Sequence, residues 1–411
     1  MKRSLLRRKT IGGCMMILAV VLLFVLVQQG VCANIVWSCG QNDLAQLGLG
    51  IPPSSFNSKL VQITVPTPML SDVVAISAGA DHSLFLLTGG YVYACGMNSP
   101  LSWQLGSPTA NPQQQLVPVL VPYIADATVI SAGNAFSLVG TGTLGLIAPY
   151  SFGANSSGQL GQGTNSSPLT AGLCYPWSPS SPPVVAVAAG DDHGLVLLAD
   201  GTVLACGQNN HGQLGLGAAS MPVTGLKQVQ LPSGSIAMKI AAGHAFSLVL
   251  LSTGDVYAFG VNDWGQLGLG PAFLNSDVAT PTQIGFPTQV SEIAAGYRHS
   301  LVLDCKAAVW AFGNNEHGEL GIGYRDQNPH PAPEIVQVPN SVSVKYVAAG
   351  YDDSFFWDLG SAHAFGDDTF GQLGLGSIAP GQDVCSPADI PIQGVLQIAA
   401  GWYHTLVLTL P

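Results

Sequence analysis

Charge is what this chain has least of. Lys, Arg, Asp and Glu together make up 9% of its 411 residues, and 12 basic residues stand against 23 acidic ones. Five of the basic ones (Lys2, Arg3, Arg7, Arg8 and Lys9) crowd the first nine positions, so the chain beyond Ala33 carries seven basic residues and every acidic one. A surface of that balance repels phosphate backbones and argues against a nucleic-acid partner. Missing too are the short motifs of hydrolytic and metal chemistry: HExxH, paired CxxC and GxSxG do not occur. Clear amphipathic helical stretches are also absent, and with them the strand, glycine loop and helix that a phosphate cradle requires. We therefore expect no catalytic residues, no cofactor and no metal.

The first 33 residues form a unit of their own. The basic leader precedes an apolar run from Ile11 to Val27, and Val31-Cys32-Ala33 offers small residues for signal peptidase, with cleavage after Ala33. This is the three-part layout of a secretory signal. An uncleaved anchor is the alternative, the run being slightly short for a membrane span. Either version places residues 34–411 in the lumen or outside the cell, and contact with a membrane is expected only if the leader stays.

Glycine, at 50 residues, is what the chain has in plenty. GQLGLG occurs at 212–217, 265–270 and 371–376, with variants at 45–50, 103–108, 158–163 and 318–323. Gly40, Gly96, Gly153, Gly207, Gly260, Gly313 and Gly366 each precede a copy, at intervals of 53 to 57 residues. A second motif interleaves with the first, also seven times: SAGADHS at 77–83, SAGNAFS at 131–137, AAGDDHG at 188–194, AAGHAFS at 241–247, AAGYRHS at 294–300, AAGYDDS at 348–354 and AAGWYHT at 399–405. A phosphate loop is needed once, so seven copies point to geometry.

Each AAG motif leads into an apolar strand, a turn and a second strand. LVLLADGTVLACG at 195–207 shows the layout, with Asp200-Gly201 as a hairpin signal. A unit of this size with a few short strands cannot bury a core alone, but seven in a ring can. The fold expected is all-β: a seven-bladed β-propeller, monomeric. The chain ends on HTLVLTLP, a first hairpin strand without a second, and resumes after the leader with NIVWSCG, a second without a first. Pairing of 404–410 with 35–39 would close the ring and remove its exposed edges.

The pattern VxAxGxNxxGQLGLG followed by IAAGxxHSLxL resembles the repeat of the regulator of chromosome condensation family, across essentially all of 34–411. The resemblance implies a seven-bladed propeller. It also implies one of two functions: some members act only by binding proteins, among them exported bacterial inhibitors of β-lactamases. The name-giving member is a guanine-nucleotide exchange factor for the GTPase Ran and binds chromatin. It uses a wedge-like loop and an acidic residue in an AGDxH-like turn. Asp81 in AGADH, and Asp191 and Asp192 in AGDDH, match that turn most closely. The only wedge-like length anomaly is Ser99 to Trp103, whose residues do not match. The leader and the lack of a basic tail favour an exported interaction module, with exchange on a Ran-like GTPase as the alternative.

Individual residues sharpen these expectations. His82, His193, His299 and His404 recur at one repeat position, which suggests a structural role bonding turn backbone between blades. His211 and His317, in the GxNxxG turn, are expected to face solvent. Cys39, Cys95 and Cys206 stand where other copies have Phe152, Phe259, Phe312 and Phe365, and read as small buried hydrophobes. Cys174, Cys305 and Cys385 fall in loops or turns, and export would permit a bridge such as Cys174 with Cys385. Asp191-Asp192, Asp352-Asp353 and Asp367-Asp368 lack the alternating oxygen ligands of a Ca2+ loop and read as surface loops. Asn165-Ser166-Ser167 is a glycosylation candidate in an expanded loop (169–183 continues it), whereas Asn155 is expected to be tied up in the fold. The two positions after each AAG glycine vary most. They present Asp81, Asp191, Asp192, Tyr297, Arg298, Tyr351, Asp352, Trp402 and Tyr403 as candidates for contact with a protein partner of unknown identity. The competing reading is that the aromatic rings fill the tapering channel.

Overall fold

The hairpins signalled by turn residues form, and they assemble outward from an axis. The computed structural model describes residues 34–64, 72–107, 113–142, 148–168, 170–178, 180–376 and 382–411; the leader and Ala33 lie outside these. Within the described residues, seven antiparallel sheets of four strands each make seven blades. Blade 3 is typical: Val184–Ala189 innermost, then His193–Leu198, Val203–Asn209 and, outermost, Ser220–Gln228. We number blades from Val73. Blade 7 then consists of Val395–Ala400, His404–Thr409, Ile35–Asn42 and Ser54–Gln62.

That last blade is built from both ends of the chain. Ile35 pairs with Thr409, Cys39 with Thr405 and Gly40 with His404, so the expected closure is present. The inner strand Val395–Ala400 in turn packs on Val73–Ala78 of blade 1, completing the ring. Every residue of the second strand His193–Leu198 is buried, without the alternation of a one-sided sheet. Both of its faces pack on neighbouring blades. The core therefore lies between blades: Leu248, Val256 and Leu267 of blade 4 share one cluster with Ile293, Val302 and Phe312 of blade 5.

The glycine hexamer is the clasp of that packing. After the third strand of blade 3, Asn209 Oδ1 accepts the Leu214 amide at 3.1 Å and Gln213 Oε1 accepts the His211 amide at 3.0 Å. These bonds roll the loop so that Leu214 is fully buried and Gly215 lies against Phe259 of blade 4. Gly215 has φ +64, a conformation that favours glycine. Gly217 then donates its amide to Ala279 O, in the outer strand of blade 4, at 3.0 Å. In the cysteine copies the thiol fills the Phe slot. Cys39, Cys95 and Cys206 are fully buried, with Sγ 3.4, 3.7 and 3.4 Å from the carbonyls of Gln372, Gln46 and Gln159.

Two expectations about the other cysteines are corrected. Cys174, buried beside the short strand Gly172–Leu173 of blade 2, and Cys385, within the strand Val384–Asp389 of blade 6, are held in separate blades. A bridge between them is sterically closed, and both are free thiols. Burial pushes the Cys174 thiol up to about 12. Cys305 does sit in a hairpin turn and is exposed.

Candidate functional site

Strand alternation sorts the loops. Loops after the first and third strands of a blade emerge on one face of the disc, and hairpins such as Asp200-Gly201 emerge on the other. Both repeated motifs therefore share one face, the AAG loops around the axis and the hexamer loops outside them. The two rings are tied by backbone: Gln41, Gln208 and Asn314 donate their amides to Tyr403, Asp192 and Arg298 carbonyls at 2.7, 2.8 and 2.9 Å.

The first position after each AAG glycine borders an axial cavity of about 310 Å3, whose mouth includes Asp191, His244, Tyr297, Tyr351 and Trp402. On one side these rings form a crescent. Tyr297 stacks on Tyr351 with centroids 4.0 Å apart, Tyr351 meets Trp402 at 4.9 Å, and His244 meets Tyr297 at 4.3 Å. Tyr403, from the second position, extends it toward Phe370 at 5.1 Å. The Arg298 guanidinium lies 5.1 Å from the Tyr297 ring and 5.7 Å from Trp264, within cation–π range. At the end of the crescent His244 pairs with Asp191 of the adjacent blade. Five of the nine candidate residues are thus brought together, and Asp191 joins them through His244.

The remaining candidates, Asp81, Asp192 and Asp352, face outward toward the hexamer loops. Burial, then Asp43, pushes Asp81 up to about 6. Burial pushes Asp192 up as well, with Asp191 adding, and its Oδ1 accepts Gln159 Nε2 at 2.9 Å. Asp352 is likewise raised to about 6, chiefly by burial. His244, Trp264 and Phe370 escaped the candidate set. Trp264 and Phe370 share the variable position before GQ in the hexamer loop, and that variability was the available signal.

The four recurrent histidines are structural, though not through turn backbone. His82, His193, His299 and His404 are fully buried, and Nε2 of each meets the hydroxyl of Ser137, Ser247, Ser354 or Ser83 in the next blade at 2.8 to 2.9 Å. The hydroxyls of Ser247, Ser354 and Ser83 donate onward to the carbonyls of Gln213, Glu319 and Gln46. With its proton so committed, each serine accepts from Nε2–H, which leaves Nδ1 as a bare lone pair in a neutral ring. Burial lowers these rings to about 4 for His82 and about 3 for the other three.

Several surface readings need correction. Asp353, Asp367 and Asp368 are buried: Asp353 opens the strand Asp353–Trp357, whose every residue is buried, and the other two begin a hexamer loop packed against the next blade. His211 and His317 are only part-exposed, since each bonds a carboxylate of the following blade, Asp277 at 2.9 Å and Asp383 at 3.1 Å. Ser99 to Trp103 is a compact turn rather than an extended wedge, with Trp103 N donating to Ser99 O at 2.8 Å; Leu101 at its tip is 87% exposed. Asn155 is buried, its Oδ1 accepting the Leu160 amide at 3.0 Å, while Asn165 is exposed.

Residues 148–410 match the family model described as the RCC1-like domain, and residues 73–99 match the regulator of chromosome condensation (RCC1) repeat. Among relatives, the chain is 28% identical over 351 residues to the ultraviolet-B receptor UVR8 of Arabidopsis thaliana, covering 82% of this chain and 74% of that one. It is 26% identical over 409 residues to the regulator of chromosome condensation of Mus musculus, covering 91% and 90%. The crystal structure of Prp20p from Saccharomyces cerevisiae superposes with a TM-score of 0.77 at 21% identity, covering 93% and 92%. A ring of seven clasped blades, closed by its own termini and matched over most of its length, places the chain in the family of the RCC1-like domain.

Proposed function

We propose that the chain is an exported, non-catalytic propeller that docks a protein partner on its loop face. The observation that carries this is the crescent of Tyr297, Tyr351, Trp402 and Tyr403 with Arg298, mounted on a rigid ring at the mouth of the axis. Aromatic and Arg side chains on preorganised backbone bind at small entropic cost and dominate interface energies. Export rests on the leader of residues 1–33. Prp20p, which shares the fold, is described as binding Gsp1p and histones, so protein partners suit this architecture.

The test begins with location. The full chain with a C-terminal tag is expected in the medium of eukaryotic cells, beginning near Asn34. Proteins recovered on it should be lost with the double variant Tyr351→Ala, Trp402→Ala, a loss of more than ~30-fold in affinity for two hot-spot rings. Asp200→Ala on the opposite face should leave recovery unchanged. Equal recovery by both variants would sink the assignment of the face.

A second reading, nucleotide exchange on a Ran-like GTPase, is favoured by the near-complete alignment with the mouse regulator. GDP release from Ran discriminates: acceleration by the purified propeller, abolished by Asp191→Ala or Asp192→Ala, would put exchange first.

A further inference from the structure

The seven copies serve as controls for one another, and two neighbouring blades break their rules together. The glutamine of the hexamer is Gln in six copies and Glu319 in the seventh. The asparagine that anchors the hexamer is Asn in six copies and Asp368 in the other. Where other copies have Gln, Met, Ala, Val or Asn before that residue, blade 6 has Asp367. These exceptions come from consecutive copies, and Glu319 and Asp367 both lie at the seam between blades 5 and 6.

At that seam His317, Asp367 and Asp383 place their ligand atoms within 4.8 Å of one another. Asp367 is fixed by the Thr369 amide at 2.9 Å and by Gln372 Nε2 at 2.9 Å. Asp383 gives one oxygen to His317 Nδ1 at 3.1 Å and the other to Arg325. Beneath lies Glu319, fully buried. Its Oε2 accepts the His317 amide at 2.8 Å, and its Oε1 has no partner. In the copy at 158–163 the corresponding Gln159 uses Nε2 to bond Asp192. Glu319 turns that donor into an acceptor, and the residue at the Asp192 position is Asp352, a second acceptor. Two acceptors now face each other where the other copy has a donor and an acceptor. Oε1 of this buried carboxyl is left without a donor, and a cation beside it would relieve the crowding of acceptors.

We propose that His317, Asp367 and Asp383 bind one divalent transition-metal ion, of the Zn2+ or Mn2+ class, backed by Glu319 and Asp352. One imidazole nitrogen and carboxylate oxygens suit those ions better than Mg2+ or Ca2+, which take oxygen alone. His317 is part-exposed, so an ion enters from the loop face. Glu319, bonded to the His317 backbone, and Gln372, bonded to Asp367, hold the ligands in place from behind. The protein contains its own negative control. His211 and Asp277 form the same histidine–aspartate pair at 2.9 Å, with Gln213 and Val261 where Glu319 and Asp367 stand.

Chelator-treated protein titrated with ZnCl2 and with MnCl2, by calorimetry and by melting temperature, tests the site. One ion per chain should bind and raise Tm. Asp367→Asn, Asp383→Asn and His317→Ala should each weaken binding at least ~10-fold, the effect of losing one ligand. Asp277→Asn should leave it unchanged. Glu319→Gln restores the residue of the other six copies, so it should fold well and bind more weakly. Wild-type binding no tighter than that of the Asp367→Asn, Asp383→Asn double variant would overturn the site. So would equal binding of CaCl2 that His317→Ala leaves intact.

Discussion

His193, His299 and His404 each give their Nε2 proton to a serine of the next blade, and burial keeps the rings neutral. Their pKa values fall from 6.5 in the unfolded chain to about 3. Between those limits the unfolded chain binds the protons and the folded one does not, so stability is full above 6.5 and is lost as pH falls toward 3. His193→Ala should cost ~3 kcal/mol, from a cavity and a lost hydrogen bond. His193→Phe should cost under ~1 kcal/mol and flatten the acid limb. Phe246 already occupies that position in blade 4, and the serine it faces, Ser300, keeps its bond to Gln266 O at 2.8 Å. Urea melts at pH 4.5 and 7.5 check both. The buried carboxyls oppose this trend. Glu319 is raised to about 8 by burial and then by Asp352, so its burden grows as pH rises from 4.5 to 8. In chelator, Glu319→Gln should raise Tm at pH 8 and leave it unchanged at pH 4.5. An equal gain at both values would remove the carboxyl as the cause.

The element that decides the fold is the loop rather than the strand. Blade 6 departs from its neighbours by placing Asp353 at the histidine position and Thr405 at the serine position of the next blade. Both side chains are buried without partners. Asp353→His should recreate the interblade bond to Thr405 and raise Tm by several degrees at pH 7.5, which differential scanning calorimetry would register. The repeat interval, the hairpins and the pairing of the chain ends were legible in the sequence, because each is written in residues that demand one geometry: glycine at positive φ, Asp-Gly turns, an apolar strand with no neighbour. The destination of the hexamer was not. Its span between blades depends on which Phe or Cys of the following copy lies beneath it, and spacing along the chain does not carry that. The acidic pairs misled for the same reason. Adjacent aspartates look solvated until the next blade covers Asp353 and Asp368. The aromatic positions after AAG were legible as a variable slot; their stacking around one axis emerged only with the ring.

At the scale of the whole molecule, one blade holds the ring shut. Its strand Ile35–Asn42 bonds His404–Thr409 on one side and Ser54–Gln62 on the other. Deleting residues 35–42 should open an unpaired edge along His404–Thr409, an invitation to association between chains. Light scattering after gel filtration should show oligomers for the variant and a monomer for the intact ring; a monomeric deletion variant would mean that closure rests on the interblade clasps alone. The register of the same strand pair has a further consequence. Ile35 lies opposite Thr409, so the chain enters and leaves the ring side by side, on the face away from the AAG loops. Whatever is fused at either end, whether a membrane tether ahead of Asn34 or a solid support beyond Pro411, therefore stands behind the disc and orients the aromatic mouth outward, toward whatever approaches.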